Sequence, residues 1–274
     1  MPLITPFDPW HGRLCTCPAK YNLSPYTGCG HGCLYCYASS YIPRFDQPRP
    51  KKDFIARLKK EIKKIPAGST LTMANSSDPY TPPEKHLRLT QQALKILAGH
   101  PVRLLLVTKS DLILRDIDIL KNLPVVVAIT VTTLSQSLAK RLEPGAPAPA
   151  KRLKALAELS RNMPVLARLD PIIPGLNENE IEALVKAAKD SGCRQITTSV
   201  YKARPDNLAR LRRAFPLKRY AWEKSERKYI LERIKKLCAD HQLGFATCRE
   251  GLPAGRQDLS TMSTCVCDGS NLTK

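Results

Sequence analysis

Nowhere in the 274 residues is there a run of about eighteen apolar side chains, the length a membrane-crossing helix needs. The opening stretch, MPLITPFDPWHGR, lacks a basic start, an apolar core and a small-residue cleavage site, so no secretory leader is read there. These absences predict a cytoplasmic chain without a membrane span. Without export, the ten cysteines point to metal or cluster ligation rather than to disulfides. Acidic residues are also short, 24 against 44 Lys and Arg, which leaves a net charge of +20. Such a field attracts polyanions, nucleic acid or anionic cofactors, unless it is simply a solvated basic surface.

No internal repeat is found, and 43% hydrophobic composition over this length suits one core. The expectation is a single domain over 1–274, with a core over about 20–250 and cysteine-bearing extensions at 1–19 and 251–274. Short apolar runs at 21–23, 70–74, 102–108, 125–131, 165–169, 195–200 and 244–247 read as strands. Segments of helical period fill the gaps: Ile55, Leu58, Ile62 and Ile65 share a face, as do Ile181, Leu184, Val185 and Ala188, and Ile230, Ile234, Leu237 and Cys238. Alternation of this kind is the mark of βα units around a parallel sheet. Asn177, with Glu180 three residues on, reads as a helix N-cap. EPGAPAPAK around Gly145 reads as an exposed connector.

The segment YNLSPYTGCGHGCLYCYAS places Cys29, Cys33 and Cys36 within eight residues, directly after a predicted strand and threaded with Gly28, Gly30 and Gly32. Glycines let a loop curl around a bulky inorganic core, and thiolates are the soft ligands iron–sulfur clusters take. Three thiolates would leave one iron of a four-iron cluster open. Zinc is the alternative, and it would need a fourth ligand, for which His31 lies in the same loop.

CxxxCxxC with an aromatic before its last cysteine, Tyr35, resembles the signature of the radical S-adenosylmethionine (SAM) superfamily. The likeness continues through ANSSDPYTPPEKHLRLTQQAL, LLLVTKSDL and LARLDPIIPGLNENEIEALVKAAKDSG, and is similar to the spore photoproduct lyase branch. It implies an α/β fold, a partial (β/α)6 TIM-type barrel of the radical SAM type, with chemistry at the carboxyl ends of the strands. It further implies a [4Fe-4S] cluster on Cys29, Cys33 and Cys36, whose open iron chelates SAM, and an electron donor of ferredoxin or flavodoxin type. Matched by motif, Ser77 and Asp78 would bind SAM, Lys109 its carboxylate and Thr130 its ribose. An Asp-Pro turn and a helix-start loop are the structural alternatives for Asp78 and Lys109. Tyr35 and Tyr37 match tyrosines beside the cluster in that branch, where packing would also explain them. Spore photoproduct lyase itself has a hydrogen-donating cysteine just before its T-S-D segment; here that segment reads MANSSD, with Asn75 in place of a thiol. Efficient repair of spore photoproduct is therefore not expected.

Cys15 and Cys17 form one CxC pair and Cys265 and Cys267 another, at opposite ends of the chain. Together they would close a four-thiolate site for a second iron–sulfur cluster or a zinc ion, or else remain unligated. Cys248 ends the last predicted strand and so faces the expected reaction chamber, as an extra ligand, a hydrogen donor or a small core residue. Cys193 and Cys238 read as core. From Arg194 to Lys236 lie 14 basic and 4 acidic residues, half of the whole excess, interleaved with Phe215, Tyr220, Trp222 and Tyr229. That stretch suits phosphate gripping and base stacking, or a helix pair with a wet basic back. Three functions fit: an enzyme acting on DNA or tRNA, a maturase of a protein, peptide or small-molecule cofactor, or a non-enzymatic iron–sulfur or zinc RNA-binding protein.

Overall fold

A computed structural model describes residues 2–7, 19–73, 76–250 and 272. Its main sheet has the order β1-β2-β5-β6-β7-β8-β9-β10. β1 (Thr5–Pro6) pairs antiparallel with β2 (Tyr21–Leu23) at one edge. From β2 onward every neighbour is parallel: β5 (Thr70–Met73), β6 (Arg103–Thr108), β7 (Val125–Thr130), β8 (Val165–Ile172), β9 (Gln195–Val200) and β10 (Gly244–Thr247). The six crossovers carry α1 (Phe54–Glu61); α2 (Glu84–Leu87) and α3 (Leu89–Leu97); α4 (Ile117–Leu120); α5 (Gln136–Leu142) and α6 (Pro149–Ser160); α7 (Ile181–Asp190); and α8 (Pro205–Ala214) and α9 (Lys224–Asp240). The architecture is thus six βα units followed by a seventh parallel strand, an open α/β barrel. A small ribbon, β3 (Tyr26–Thr27) with β4 (Arg49–Pro50), brackets the cysteine loop.

Side chains alternate across each strand, and the two faces do different work. Leu104, Leu106, Val125, Val127, Val165 and Ala167 point to the helices and join the main core. Their neighbours Leu105, Val126, Ala128 and Leu166 point into the barrel, where Leu272 covers them as an apolar floor. One step toward the carboxyl ends the inward positions turn polar, with Thr72, Thr130, Arg168 and Ser199 lining a cavity. All six residues of β7 are buried, as expected for a parallel strand covered on both faces. Ile181, Leu184, Val185 and Ala188 of α7 are buried at helical spacing. No helix among the described residues is long and apolar enough to cross a membrane.

Two local expectations are corrected. β8 runs on to Ile172, three residues past the predicted end, and the helical segment opens after Asn177 as a 3-10 turn, Glu178–Glu180, before α7 begins at Ile181. Asn177 holds the N-cap position but its side chain does not cap: it is fully buried, accepts from Ile173 N at 2.7 Å and donates to Thr132 O at 2.7 Å and Pro171 O at 3.0 Å. It pins the exit of β8 to the exit of β7. EPGAPAPAK is not merely exposed either: Glu143 is 1% exposed, and Gly145 N donates to His31 O at 2.9 Å. A cap and a lock respond differently to substitution. Asp is as good a cap as Asn but cannot donate, so Asn177→Asp should destabilise as Asn177→Ala does, by about 2–4 kcal/mol, read as a lower melting temperature.

Candidate functional site

The cysteine loop has little regular structure, so its shape comes from what surrounds it. Gly28 has φ 83°, and a Cβ there would stand 2.7 Å from Phe45 O. Cys29 N donates to Phe45 O at 2.7 Å, Gly30 N to Thr81 Oγ1 at 2.9 Å and Leu34 N to Leu142 O at 2.9 Å. A Cβ on Gly145 would meet Gly30 O at 2.2 Å, so this connector can lie against the loop only as glycine.

Two carboxylates fasten the residues between the cysteines. Asp78 Oδ1 accepts from Thr108 Oγ1 at 2.6 Å and Tyr80 N at 2.9 Å, and Oδ2 from Lys109 N at 2.8 Å. His31 Nε2 lies 3.0 Å from the same Oδ2, while Nδ1 lies 3.2 Å from Gly145 O. Both ring nitrogens thus face protein oxygens, Nε2 in a contact that lacks hydrogen-bond geometry. Glu143 accepts from the Tyr35 hydroxyl in a short hydrogen bond and from Thr132 Oγ1 at 2.7 Å. It stands 2.6 Å from Arg152 Nη2, in a contact too bent to be a linear hydrogen bond, and 3.9 Å from Lys109 Nζ. Burial alone would raise both carboxyls. His31, Thr108 and Lys109 N hold Asp78 below its ordinary range, and Arg152, Lys109 and Tyr35 do the same for Glu143.

The three thiols, with Ser77, Asp78, Lys109, Thr130 and Cys248, line one cavity of about 540 Å³ at the carboxyl ends of the strands. Lys109 Nζ also lies 5.6 Å from the Tyr35 ring centre. Ser77 Oγ is buried and has no hydrogen-bond partner among the described residues, an acceptor and donor left for a ligand. Across the cavity, Arg168 Nη2 pairs with Asp170 Oδ2 at 2.6 Å, Ser199 donates a short hydrogen bond to Asp170 Oδ1, and Lys202 Nζ donates to Cys248 O at 3.2 Å. Tyr37, 38% exposed, stands at the rim with its ring centre 6.3 Å from that of Tyr41.

The donor set fits an iron–sulfur cluster. Burial pushes the thiols up, Cys29 to about 11 and Cys33 and Cys36 likewise upward, so they stay protonated until a metal replaces the proton. Among the described residues no three His, Cys, Asp or Glu side chains converge on a single ion. Thiolates that each hold a different iron need not converge in that way.

The sequence placed Cys29, Cys33, Cys36, Ser77, Asp78, Lys109, Thr130, Tyr35, Tyr37 and Cys248 around one chamber, and the structure brings them there. Cys15, Cys17, Asn75, Cys265 and Cys267 lie outside the described residues. Cys193 and Cys238 are core residues. The base-stacking reading of 194–236 is corrected: Phe215 is buried under Arg141, Tyr220 donates to Phe215 O at 2.6 Å, and Trp222 donates to Ile172 O at 3.1 Å. Of the four aromatics only Tyr229 is well exposed, at 70%. Sequence reasoning missed Glu143, Gly145 and Arg152; the signals were a lone acidic residue and a glycine inside a Pro/Ala-rich connector. Gly145→Ala should displace the cysteine loop and cut iron incorporation on anaerobic reconstitution to below about half of wild type, with a melting loss of about 1–3 kcal/mol.

Residues 23–188 match the family described as the radical SAM superfamily, more than half of the chain. An uncharacterized protein of Methanocaldococcus jannaschii is 34% identical over 166 residues, 59% of this chain and 64% of the relative. The matched region thus spans slightly less than two thirds of that relative. An uncharacterized Mycobacterium tuberculosis protein is 24% identical over 82% of this chain and 76% of its own length. In fold, a spore photoproduct lyase mutant with bound AdoMet and dinucleoside spore photoproduct has a TM-score of 0.68 at 16% identity, over 85% of this chain and 77% of that one. Streptococcus suis SuiB bound to S-adenosylmethionine has a TM-score of 0.61 at 15% identity, over 82% and 50%. With the cysteine loop, the open barrel and the family match in agreement, the chain belongs to the radical SAM superfamily, enzymes built on a [4Fe-4S] cluster and SAM.

Proposed function

We propose that Cys29, Cys33 and Cys36 hold the cluster, that SAM lies on the Ser77, Lys109 and Thr130 side of the cavity, and that the substrate enters on the Arg168, Asp170 and Cys248 side. The observation that carries this reading is the buried Ser77 hydroxyl, without a hydrogen-bond partner among the described residues, on the wall of the cavity the three thiols share. Held by Cys29, Cys33 and Cys36, the cluster would supply one-electron reductive cleavage of SAM, the chemistry that would open the way to hydrogen abstraction from a substrate carbon.

The chain's own residues bind and orient. Lys109 presents an ammonium to the SAM carboxylate, with its backbone fixed by Asp78. Thr130 offers a hydroxyl to the ribose. Asp78 acts through the loop rather than as a ligand, because its carboxylate already receives three protein hydrogen bonds. Tyr35 likewise acts by position, its hydroxyl being turned to Glu143. Tyr37 and Cys248 face the substrate side, Cys248 as an extra ligand or a hydrogen donor to a substrate radical.

A nucleic acid, DNA lesion or tRNA, is the substrate class favoured by the net charge of +20 and by Lys109, Arg168, Lys202 and Arg249 in the cavity wall. Asn75 argues for a substrate other than spore photoproduct. Maturation of a protein, peptide or small-molecule cofactor is the second reading, favoured by the Cys15/Cys17 and Cys265/Cys267 pairs, which suit an additional cluster or zinc ion.

Anaerobically reconstituted chain should hold about four irons, or about eight if the terminal pairs take a second cluster. Reduced with dithionite it should release 5′-deoxyadenosine, and Cys29→Ala, Cys33→Ala or Cys36→Ala should abolish that release; iron-loaded protein that yields none defeats the reading. Ser77→Ala should raise the KM for SAM about fivefold, the value of one hydrogen bond, while leaving the melting temperature of the apoprotein unchanged or higher.

A further inference from the structure

The cysteine loop has a second side, turned away from the cavity and covered by α8 and the end of α5. Arg210 of α8 holds it directly: Nε donates to Leu34 O at 3.2 Å, and Nη2 to Cys36 O at 3.1 Å and Ser39 Oγ at 2.7 Å. About a third of the Arg210 side chain, 34%, remains open to solvent. Between α8 and Cys33 lies a thin apolar cluster that includes Tyr35, Leu211 and Phe215, with Cys33 and Leu34 packed against it. Arg141 stacks over the Phe215 ring at 4.2 Å and donates to Ala214 O at 2.6 Å, which joins the ends of α5 and α8 into one surface.

That surface is cationic. Lys140, Arg141, Arg212 and Arg213 are all exposed. The one acidic residue of α8, Asp206, is already taken by Ser39, Ser40 and Arg210.

We propose that this face, Lys140 and Arg141 with Arg212 and Arg213, is the docking site of an acidic one-electron carrier protein. The inference rests on the reading of Cys29, Cys33 and Cys36 as cluster ligands. Electron transfer weakens steeply with distance, so the carrier must sit where the path to those thiolates is short. The cavity side is where SAM and substrate bind, which leaves the outer side. There a partly exposed arginine, Arg210, touches the Cys36 carbonyl, and an apolar cluster separates the surface from Cys33. Transient redox complexes use small interfaces that rely on charge complementarity for encounter, and four exposed cations beside a neutralised aspartate select an acidic partner. One electron would pass from the reduced carrier, oxidised by one equivalent, to the cluster that Cys29, Cys33 and Cys36 would hold, reduced by one equivalent, and no bond is made or broken.

The test uses the full chain loaded with iron and sulfide, and a purified acidic flavodoxin as the probe. Lys140→Glu/Arg212→Glu/Arg213→Glu is compared with Lys59→Glu/Lys60→Glu/Lys63→Glu, the same charge change on and just after α1. The docking-face variant should bind the flavodoxin about tenfold or more weakly at low ionic strength, and carrier-driven release of 5′-deoxyadenosine should slow accordingly. Dithionite-driven release and the melting temperature should hold at wild-type values, and the α1 variant should retain carrier affinity. Unchanged affinity in the docking-face variant overturns the proposal, as does equal weakening by both variants, which would report net charge alone. Loss of tRNA retention with carrier affinity intact also overturns it and assigns the face to nucleic acid. If the triple variant melts early, Arg212→Gln/Arg213→Gln asks the same question, with about a threefold loss of affinity expected and an unchanged affinity overturning the proposal. No deoxyadenosine from wild type under dithionite would instead fault the cluster reading, while the binding measurement would still decide the docking face.

Discussion

A loop of three cysteines and several glycines cannot hold its own shape, and here two buried carboxylates do it. Asp78 reaches the loop through His31, between the first two cysteines, and Glu143 reaches it through Tyr35, between the last two. Lys109 ties the two anchors together, its N–H on Asp78 and its ammonium near Glu143. A buried carboxylate is tolerable only when paired and hydrogen-bonded, so each anchor brings its own partners: Thr108 and Tyr80 N for one, Arg152 and Thr132 for the other. Since those partners come from β6, from β7's exit and from α6, the geometry of the loop is set by the barrel as a whole.

The same arrangement gives the cysteine loop two unlike sides. On the cavity side the loop meets polar groups: the Ser77 hydroxyl, without a partner among the described residues, the Lys109 ammonium and the Arg168–Asp170 pair. On the other side it meets an apolar cluster and then a basic surface. The open barrel makes this division possible, because its inward residues change from an apolar floor under Leu272 to a polar chamber within one or two positions along each strand.

The positive charge takes on a different meaning once the chain is folded. In sequence, the aromatics between Arg194 and Lys236 alternate with cations as they would on a stacking platform. In space Phe215, Tyr220 and Trp222 serve the chain itself, their hydroxyl, indole N–H and ring faces occupied by backbone carbonyls and by Arg141, Arg212 and Arg219. The guanidinium groups of these three arginines stand over the rings, 4.2 to 5.6 Å from their centres, as cations over aromatic faces do.

The sequence alone determined the elements whose signal is local. Strand periodicity, the buried face of α7 and the CxxxCxxC spacing depend only on residues a few positions apart, and hydrophobic burial and thiolate chemistry act on them in any surroundings. Tertiary structure decided everything that rests on an encounter between distant segments. Glu143, Gly145 and Arg152 sit in an unremarkable connector until folding lays it against a loop more than a hundred residues earlier. Asn177 stands at the N-cap position its spelling predicts, but its amide is drawn away from the helix into the gap between the exits of β7 and β8, where it bonds three backbone groups. Unpaired polar groups cost too much to bury, so a distant partner that satisfies them prevails over a local preference.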